Sequence, residues 1–531
     1  ALRTADISPL PGLAVAAARS RKPDLAWEAL ERNLARGLLD HLTAQPLDPE
    51  ERKRELAMLE RLNLLDRQID ELRGRRPQTA ADRQRVEAAE AERDAAQVDL
   101  AKFQAGLTAL HGVTAGEVYP LARIQTQIPD GAALVAWVDL PHVSNWHDPK
   151  GDHWACLVKR TGEPVWVQLA GTGPRDAWTD EDDRLRHRFR RSLEERRPKE
   201  DWRDLKERLA RQRFGPLADH LQGVRHLIIL PSAEMAGIPV EALSDLTVTY
   251  APSGTMFAWL RDRPAAGNKL PARHLLALGD PAFKTGPDGP VPLPGSRQEL
   301  AGIARLFDES KQLMGPKASE EALAGLAAEA GGLGRFPYLH FATHGVLDKQ
   351  RPMRSALLLA RGSGPGSAGG KNAYDDRLTA ERMLRQWKLD AELVTLSACQ
   401  TGLGRDAGGD GYLGFSQALF VAGARSLVVS LWEVDDTATS LLMTRFYENL
   451  MGLPKGLPGG PLEAKSKAEA LKEAKEWLSR LRPDEVDQLA AGLPRTGTRG
   501  RVVPKAATEK AHPSYEHPYY WSGFILIGDP R

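Results

Sequence analysis

The second half of the chain alternates short apolar strands with helices, and this alternation restricts the fold more than any other feature. The stretches 275–279 and 393–396 are apolar at successive residues, Thr395 excepted, rather than at every second residue. Amphipathic stretches such as 295–307 and 411–424 follow them. A continuously apolar strand is buried on both faces, and a helix between two strands supplies the crossover that parallel strands need. The sequence therefore predicts an α/β fold with a mostly parallel sheet covered on both faces.

The first part of the chain is predicted to be a helical hairpin. Apolar residues recur there at spacings of three and four, which is typical of helices that share a seam. GRRPQT at 74–79 breaks the pattern, because glycine and proline end helices. A helix pair packed on the next domain and a coiled coil that binds a partner both fit this pattern. The seam residues are Met58, Leu62, Leu65, Ile69 and Leu72, then Ala96, Leu100, Phe103, Leu107 and Leu110.

A second set of strands lies between the helical part and the alternating part. The segments 133–140, 153–160 and 163–170 are short, rich in valine and tryptophan, and bounded by turn residues, so they are predicted to be strands. The stretch 180–214 carries charges of both signs at helical spacing and is predicted to form exposed helix. A segment rich in proline and glycine at 261–273 resembles a linker.

Composition excludes several classes of protein. The chain has 531 residues and a net charge of +1, which gives no general reason to expect nucleic-acid binding. Two cysteines do not make a disulfide framework and fit a reducing cytoplasm. No apolar run reaches the length of a membrane helix, and residues 1–10 do not resemble a signal peptide. We therefore expect a cytoplasmic protein, and the missing initiator methionine fits a piece of a longer chain.

Two predicted strands end in residues that carry chemistry. His344 follows the strand in YLHFATHG, and Cys399 follows the strand in LVTLSACQTG. Functional residues of parallel sheets collect at the carboxyl ends of strands, so an imidazole and a thiol would meet there. The imidazole can deprotonate the thiol and later protonate a leaving amine. The backbone amides of Gly345 and Cys399 are the candidate oxyanion donors. Cys156 lies inside a predicted strand and is interpreted as a core residue.

Residues 226–531 resemble a CHAT domain, a bacterial branch of the caspase-like cysteine peptidases related to separase. The resembling strings are HLIILPSAEMAGIPVEAL, YLHFATHG, LSACQTG, GDGYLGFSQALFVAGARSLVVSLWEVDD and HPYYWSGFILIGD. The resemblance implies a caspase-like three-layer α/β sandwich, peptide-bond hydrolysis without a cofactor, His344 as general base and Cys399 as nucleophile. It also implies that a degenerate caspase-like domain (116–265) precedes an active protease domain (266–531), both after the helical region (1–115) that the apolar spacing predicts.

The same resemblance suggests a preference for arginine at P1, the substrate residue before the cleaved bond. In separase an aspartate lines the pocket for that residue, the S1 pocket, and Asp436 in LWEVDD is the closest match. Asp435 and Asp410 are the alternatives, although an aspartate at a helix start, like Asp410, is also a good helix N-terminal residue.

Other interpretations remain open from the sequence. A zinc site made by His340, His344 and Cys399 is conceivable, but HxxxH on a strand lacks the helical geometry of metal pairs, and His340 is better explained as a buried, hydrogen-bonded histidine. The expected partners are a protein substrate and an activating sensor bound at the N-terminal helices, in a bacterial defence or cell-death pathway, with neither nucleic acid nor membrane. The alternative function is a catalytically idle caspase-like scaffold that binds other proteins.

Overall fold

The computed structural model describes residues 8–43, 118–140, 151–194, 201–231, 234–263, 273–283, 290, 292–348, 351–361, 376–398, 414–452, 463–489 and 514–531, together with separate positions and short runs between 54 and 99. Contacts divide the chain into two units. One unit is Ala35–Tyr119, and the other is Ala1–Leu34 together with Pro120–Arg531.

The helices of the described residues are numbered here in chain order. They are α1 (Leu10–Arg19), α2 (Pro23–Thr43), α3 (Leu121–Gln127), α4 (Asp180–Glu194), α5 (Trp202–Phe214), α6 (Gly254–Asp262), α7 (Pro294–Ala304), α8 (Glu320–Ala328), α9 (Ala380–Gln386), α10 (Phe415–Ala422), α11 (Asp436–Met451), α12 (Lys467–Arg480), α13 (Pro483–Leu489) and α14 (Pro518–Trp521). None of the helices in this part of the chain is long and apolar enough to cross a membrane.

The strands form one large sheet and one small one. They are β1 (Ala132–Leu140), β2 (Asp152–Lys159), β3 (Val165–Gln168), β4 (His226–Leu230), β5 (Thr247–Tyr250), β6 (His274–Pro281), β7 (Glu309–Gly315), β8 (Tyr338–Ala342), β9 (Gly345–Val346), β10 (Ala356–Leu358), β11 (Arg377–Thr379), β12 (Leu393–Leu396), β13 (Ser426–Ser430) and β14 (Phe524–Gly528).

The large sheet has eleven strands in the order β3-β2-β1-β4-β5-β14-β13-β12-β8-β6-β7. Most neighbours are parallel, and the antiparallel pairs are β3–β2, β2–β1 and β14–β13. Strands β8, β12, β13 and β14 are buried along their whole length, so both faces of the sheet are covered there. The small sheet is antiparallel, in the order β11-β10-β9. The predicted α/β architecture with a mostly parallel sheet is confirmed.

The strands of 116–265 and of 266–531 lie in the same sheet, because β14 pairs with both β13 and β5. The division of this region into a degenerate and an active domain remains a prediction.

The unit Ala35–Tyr119 contains helical residues before and after position 79. The seam residues Leu65, Ile69, Leu72 and Ala96 are buried there, as the apolar spacing predicts. Arg61 pairs with Glu92 at 3.0 Å, which links the two helical stretches across 31 positions. Leu62 and the residues from Leu100 to Leu110 in the predicted seams lie outside the described residues.

The charged stretch 180–214 forms two helices that are only partly exposed. In α4 the residues Leu185, Phe189 and Leu193 are buried at spacings of four, and in α5 Leu205 and Leu209 are buried in the same way. The prediction of an exposed helix was therefore incomplete, because each helix also presents an apolar stripe to the interior.

Arg213 at the end of α5 lies in a buried ionic cluster. Its side chain is fully buried, and Nη1 donates to both carboxylate oxygens of Asp139, at 2.8 and 3.1 Å. His153 Nδ1 lies 2.6 Å from Asp139 Oδ1, and the His153 ring stacks on Trp178 with ring centroids 3.8 Å apart. Burial alone would raise the pKa of the Asp139 carboxyl, but Arg213 and His153 lower this pKa to about 2.

Replacing this buried arginine should destabilise the fold strongly. Arg213→Met leaves the Asp139 carboxylate buried without its main cation, so we expect the free energy of unfolding to fall by about 3–5 kcal/mol. The matched control is Arg208→Met on the same helix. Arg208 pairs with Glu181 and its side chain is 33% exposed, so its loss should cost less than about 1 kcal/mol. If urea denaturation shows that the two variants lose the same free energy of unfolding, the stabilising role of the Arg213–Asp139 pair is contradicted.

The same cluster predicts a pH dependence. The folded pKa of Asp139 lies below its ordinary value of 3.8, so its contribution to stability is present above about pH 4 and is lost as pH falls towards 2. In Arg213→Met the lowering by Arg213 is absent. We therefore expect a smaller acid-dependent loss of stability in that variant between pH 4 and pH 2.

Candidate active site

The two strands that precede His344 and Cys399 are hydrogen-bonded neighbours in the large sheet. Strands β8 and β12 are parallel, with His340 opposite Thr395 and Phe341 opposite Leu396. The pairing continues past the end of β12, because Ser397 N donates to Phe341 O at 2.8 Å. His344 is the second residue after β8, and Ala398 is the second residue after β12. The carboxyl ends of both strands therefore meet at one edge of the sheet.

His344 is held between an aromatic ring and a backbone hydrogen bond. Its ring centroid is 5.3 Å from that of Phe283, at an interplanar angle of 45°. Its carbonyl accepts from Leu358 N in β10 at 2.9 Å. The side chain is 4% exposed, so a substrate would need to uncover it. Gly345 comes next, begins β9 and pairs with Leu357, so the candidate oxyanion residue is part of the small sheet.

Cys399 lies outside the described residues, which end at its neighbour Ala398. Ala398 and Ser397 are both buried, and the Ala398 carbonyl accepts a hydrogen bond from Ser430 Oγ at the end of β13. The backbone immediately before Cys399 is therefore tied to β8 on one side and to β13 on the other.

The other cysteine has the properties of a core residue. Cys156 is buried in β2, opposite Ala136 of β1 and Trp166 of β3. Burial raises the pKa of its thiol well above the ordinary value, so the thiolate is disfavoured there. The interpretation of Cys156 as a buried core residue is confirmed.

Behind the candidate dyad, His340 takes part in a buried hydrogen-bond network. Its Nε2 lies 2.8 Å from Glu299 Oε1 in α7, and its Nδ1 lies 3.4 Å from the Tyr447 hydroxyl in α11. The same hydroxyl is 2.9 Å from Thr395 Oγ1 in β12. Burial raises the pKa of the Tyr447 phenol, which stays protonated. The network links β8 and β12 to the helices that cover them.

This network confirms the interpretation of His340 as a buried, hydrogen-bonded residue. Both of its ring nitrogens face partners other than His344, which leaves no ring nitrogen for the alternative zinc site. Within the described ranges, no cluster of three or more histidine, cysteine, aspartate or glutamate side chains is suited to a metal ion.

The two described aspartate candidates for a substrate pocket both have structural partners. The Asp435 side chain accepts from Ala438 N at 3.0 Å and caps α11. The Asp436 side chain is buried and its Oδ2 accepts from Gly295 N at 2.8 Å, in the first turn of α7. A Cβ on Gly295 would lie 2.3 Å from that oxygen, so only glycine fits there. Asp436 thus lies at the N-termini of two helices, where a carboxylate is stabilised.

Glu433 and Asp410 are the other two acidic residues to consider. Glu433 is half-buried, three residues after β13, and within the described part of the chain its carboxylate has no hydrogen bond or ion pair. Sequence reasoning placed Glu433 on the same segment as Asp436 but did not select it. Asp410 lies outside the described residues.

Asp280 is a feature of this edge that the sequence analysis missed. It lies near the end of β6, the other neighbour of β8, and its φ of 44° falls in the left-handed region that favours glycine. Its N–H donates to Ser296 Oγ at 2.9 Å, and its carboxylate accepts from Arg297 at 2.6 Å. Strained residues of this kind concentrate at functional edges. The Gly-Asp-Pro string after an apolar strand was the available signal.

A separate cavity of about 320 Å³ lies between α12 and β5 and contains none of the predicted site residues. Its buried Lys475 pairs with Glu241, and Lys472 lies 3.6 Å from Glu476. The cations and carboxylates of its lining therefore largely neutralise one another.

The fold and this edge together define an α/β protein whose candidate functional residues collect at the carboxyl ends of parallel strands. Comparison with protein families matches the CHAT domain over residues 203–529. That match covers more than half of the chain, which therefore belongs to the CHAT domain family. The predicted resemblance to a CHAT domain is confirmed, and so is the predicted α/β fold with a mostly parallel sheet preceded by helices.

Individual relatives are distant. Tetratricopeptide repeat protein 28 of Mus musculus is 23% identical over 265 residues, which cover 45% of this chain and 9% of that protein. The chain thus spans less than a tenth of that relative's length.

Two solved structures are also similar to the chain. A separase–securin complex of Saccharomyces cerevisiae is 10% identical, with a TM-score of 0.41, over 96% of this chain and 41% of that one. The Arg-specific cysteine proteinase gingipain R is 8% identical, with a TM-score of 0.33, over 66% and 74% of the two chains. Likenesses with TM-scores this low say nothing about how this chain works.

The contrast between Asp436 and Glu433 can be tested through stability. Asp436→Asn removes the charge that two helix N-termini share, so we expect the free energy of unfolding to fall by about 1–2 kcal/mol. Glu433→Gln changes a half-buried carboxylate without a partner in the described residues. Its free energy of unfolding should therefore stay within about 0.5 kcal/mol of the wild-type value. Urea denaturation compares the two. If Glu433→Gln lowers the free energy of unfolding as much as Asp436→Asn does, the assigned difference between the two carboxylates is contradicted.

Proposed function

We propose that the chain is a cysteine endopeptidase in which His344 is the general base and Cys399 is the nucleophile. The observation that carries this proposal is the parallel pairing of β8 with β12, extended by the hydrogen bond from Ser397 N to Phe341 O. Membership of the CHAT domain family supports the same chemistry. The properties of Cys156 also favour Cys399, because a buried thiol with a raised pKa is a poor nucleophile.

The proposed reaction has two stages. His344 takes the thiol proton as the Cys399 sulfur bonds to the substrate carbonyl carbon, and the resulting oxyanion is stabilised by the amides of Gly345 and Cys399. His344 then gives the proton to the amine as the carbon–nitrogen bond breaks. In the second stage water attacks the thioester carbonyl carbon and His344 takes a proton from that water; the carbon–sulfur bond then breaks, and His344 returns the proton to the Cys399 sulfur. The products are a carboxylic acid and an amine, with the enzyme restored.

We propose further that the substrate is a protein, that cleavage follows arginine, and that a partner bound at the N-terminal helices activates the enzyme. The burial of His344 supports an activation step, because a general base must reach its substrate. The expected setting is a bacterial defence or cell-death pathway. The same burial is the observation that favours the second candidate, a protein-binding scaffold whose dyad is idle.

The dyad is tested by substitution. Cys399→Ala and His344→Ala should each lower kcat by at least about 1,000-fold on a fluorogenic peptide, because nucleophile and base act as a unit. Cys156→Ala is the matched control and should keep near wild-type turnover per folded molecule. Circular dichroism checks that each variant folds. Turnover that survives Cys399→Ala would contradict the proposed nucleophile.

A second readout does not depend on an activator. Alkylation of Cys399 by iodoacetamide, followed by mass spectrometry at pH 6–9, reports thiolate formation directly, and His344→Ala should slow it near neutral pH. Silence of the wild type toward every peptide, combined with an unreactive Cys399, would support the scaffold instead.

The P1 preference is tested with peptides that carry Arg, Lys, Leu or Asp at P1. We expect the highest kcat/KM for Arg, because a carboxylate can bind a guanidinium through two hydrogen bonds. The neutral variants Asp436→Asn, Asp435→Asn, Asp410→Asn and Glu433→Gln then identify the carboxylate. The pocket residue is the one whose replacement lowers the Arg-to-Leu ratio of kcat/KM by about 10- to 100-fold.

The ratio within one variant separates specificity from stability. A variant that is merely destabilised, as expected for Asp436→Asn, loses activity on both peptides equally. If the wild type prefers Leu at P1, the proposed acidic pocket is refuted, while the proposed dyad of His344 and Cys399 is not affected.

A further inference from the structure

One arginine of the charged stretch reaches the segment that follows β13. Arg190 lies in the last turns of α4, and its side chain is only 15% exposed. Its position in a run of mixed charges gave no sign of this burial. Long-range contacts of a largely buried arginine are costly to lose, because its donors and their acceptors would be left unsatisfied.

Among the described residues, the guanidinium of Arg190 donates to the backbone carbonyls of Leu431 and Gly237 and to the carboxylate of Glu194. Nη2 donates to Leu431 O at 2.6 Å, and Nη1 donates to Gly237 O in the turn after β4. Nε donates to Glu194 Oε1 at 2.7 Å, one helical turn along α4, which orients the group and balances its charge. The guanidinium carbon also lies 4.9 Å from the centre of the Trp432 ring, within range of a cation–π contact.

Two of these contacts, with Leu431 and Trp432, fall on a short segment between β13 and α11. Leu431 follows Ser430, whose hydroxyl binds the carbonyl of Ala398, the residue before Cys399. Trp432 is buried, and its Nε1 donates to Tyr519 O at 3.0 Å. The next residue is Glu433, a half-buried carboxylate at the same edge of the sheet. The segment is therefore bound by α4 on one side and by α14 on the other.

The helix that carries Arg190 is itself anchored near the same turn. Arg186, four residues earlier on α4, pairs with Glu234, which lies three residues before Gly237. Phe189, next to Arg190, is fully buried. A displacement of Arg190 would therefore require movement of a packed helix, and the guanidinium is fixed in place before any substrate arrives.

We propose that Arg190 is a positioning residue, which holds Leu431 to Glu433 in place at the carboxyl end of β13 and so couples helix α4 to the peptidase site. This inference rests on the proposed function for its effect on catalysis, but the ordering of the segment does not depend on that function. Lysine would replace Arg190 only in part, because one ammonium keeps the charge but lacks the planar fork that reaches two carbonyls and stacks on a ring.

The ordering is measured without catalysis. In Arg190→Gln, hydrogen–deuterium exchange of peptides covering 427–434 should rise by about 10-fold or more, because Leu431 O and Trp432 lose their anchor. Arg190→Lys should give an intermediate increase. Arg191→Gln is the matched control, since Arg191 is the next residue on α4 and is exposed. Exchange in Arg190→Gln that equals the control would overturn the proposal.

The catalytic effect is measured on the same variants. We expect KM for the preferred peptide to rise by about 10-fold in Arg190→Gln with a smaller change in kcat, because in the proposed enzyme the segment would bind substrate and would not touch the reacting atoms. The pH dependence of Cys399 alkylation should not change. Faster exchange without any change in KM or kcat would overturn the coupling to the site. A wild type without Cys399-dependent turnover would refute the peptidase, while the exchange result would still decide whether Arg190 orders the segment.

Discussion

The last strand of the chain, β14, holds the large sheet together because it pairs with β13 on one side and with β5 on the other. The pair with β13 is antiparallel over five residues, and the pair with β5 is parallel. Tyr250 and Ile527, which face each other there, are separated by most of the second half of the chain. Without β14 the sheet would divide into two pieces, each with an exposed edge of unpaired backbone groups.

Several interactions fix the end of this strand. Ser426 Oγ donates to Asp529 O at 2.6 Å, and the Asp529 carboxylate pairs with Arg531 and Arg261. Burial would raise the pKa of that carboxyl, but Arg531, Lys467 and Arg261 lower it, so the ionised form is favoured in the fold. Because this cluster connects β13, β14 and α6, the placement of β14 is determined by charge pairing as well as by the ladder of the sheet.

The pairing of β14 has a consequence for the candidate site. Since β14 runs antiparallel to β13, the start of β14 lies beside the end of β13, and Phe524 faces Ser430. Tyr519 and Gly523, just before β14, contact Trp432, just after β13. A Cβ on Gly523 would lie 2.9 Å from Trp432 Nε1, so the chain approaches the indole closely. The segment that follows β13 is therefore held by the C-terminal region and by α4, two parts of the chain far apart in sequence.

The sequence predicted what depends on local pattern. Continuous apolar runs identified β8 and β12, and the rule that functional residues follow parallel strands selected His344. His340, four positions earlier, was correctly assigned to the core, although its partners Glu299 and Tyr447 come from helices that no local pattern connects to it.

Long-range polar partners could not be predicted. A run of arginines and glutamates at helical spacing has the same signature whether a given arginine is solvated or buried, so Arg190 and Arg213 were not distinguished from Arg191 and Arg208. The hydrogen bond from Gly295 to Asp436 joins positions 141 residues apart, and only the packing of α7 against α11 brings them together. Cys399 and Asp410 lie outside the described residues, so their roles remain predictions.

The contacts of the segment 116–265 indicate whether it folds by itself or together with residues 266–531. Its ionic core of Asp139, His153 and Arg213 is complete within the segment, which is a property of a domain that could fold by itself. Its strand β5, however, is an internal strand only because β14 covers it. Arg190 satisfies a carbonyl of the other segment as well as one of its own. Separation of the two segments would thus expose a sheet edge and leave the largely buried guanidinium of Arg190 without one of its carbonyl acceptors, two costs that favour their folding as one structure.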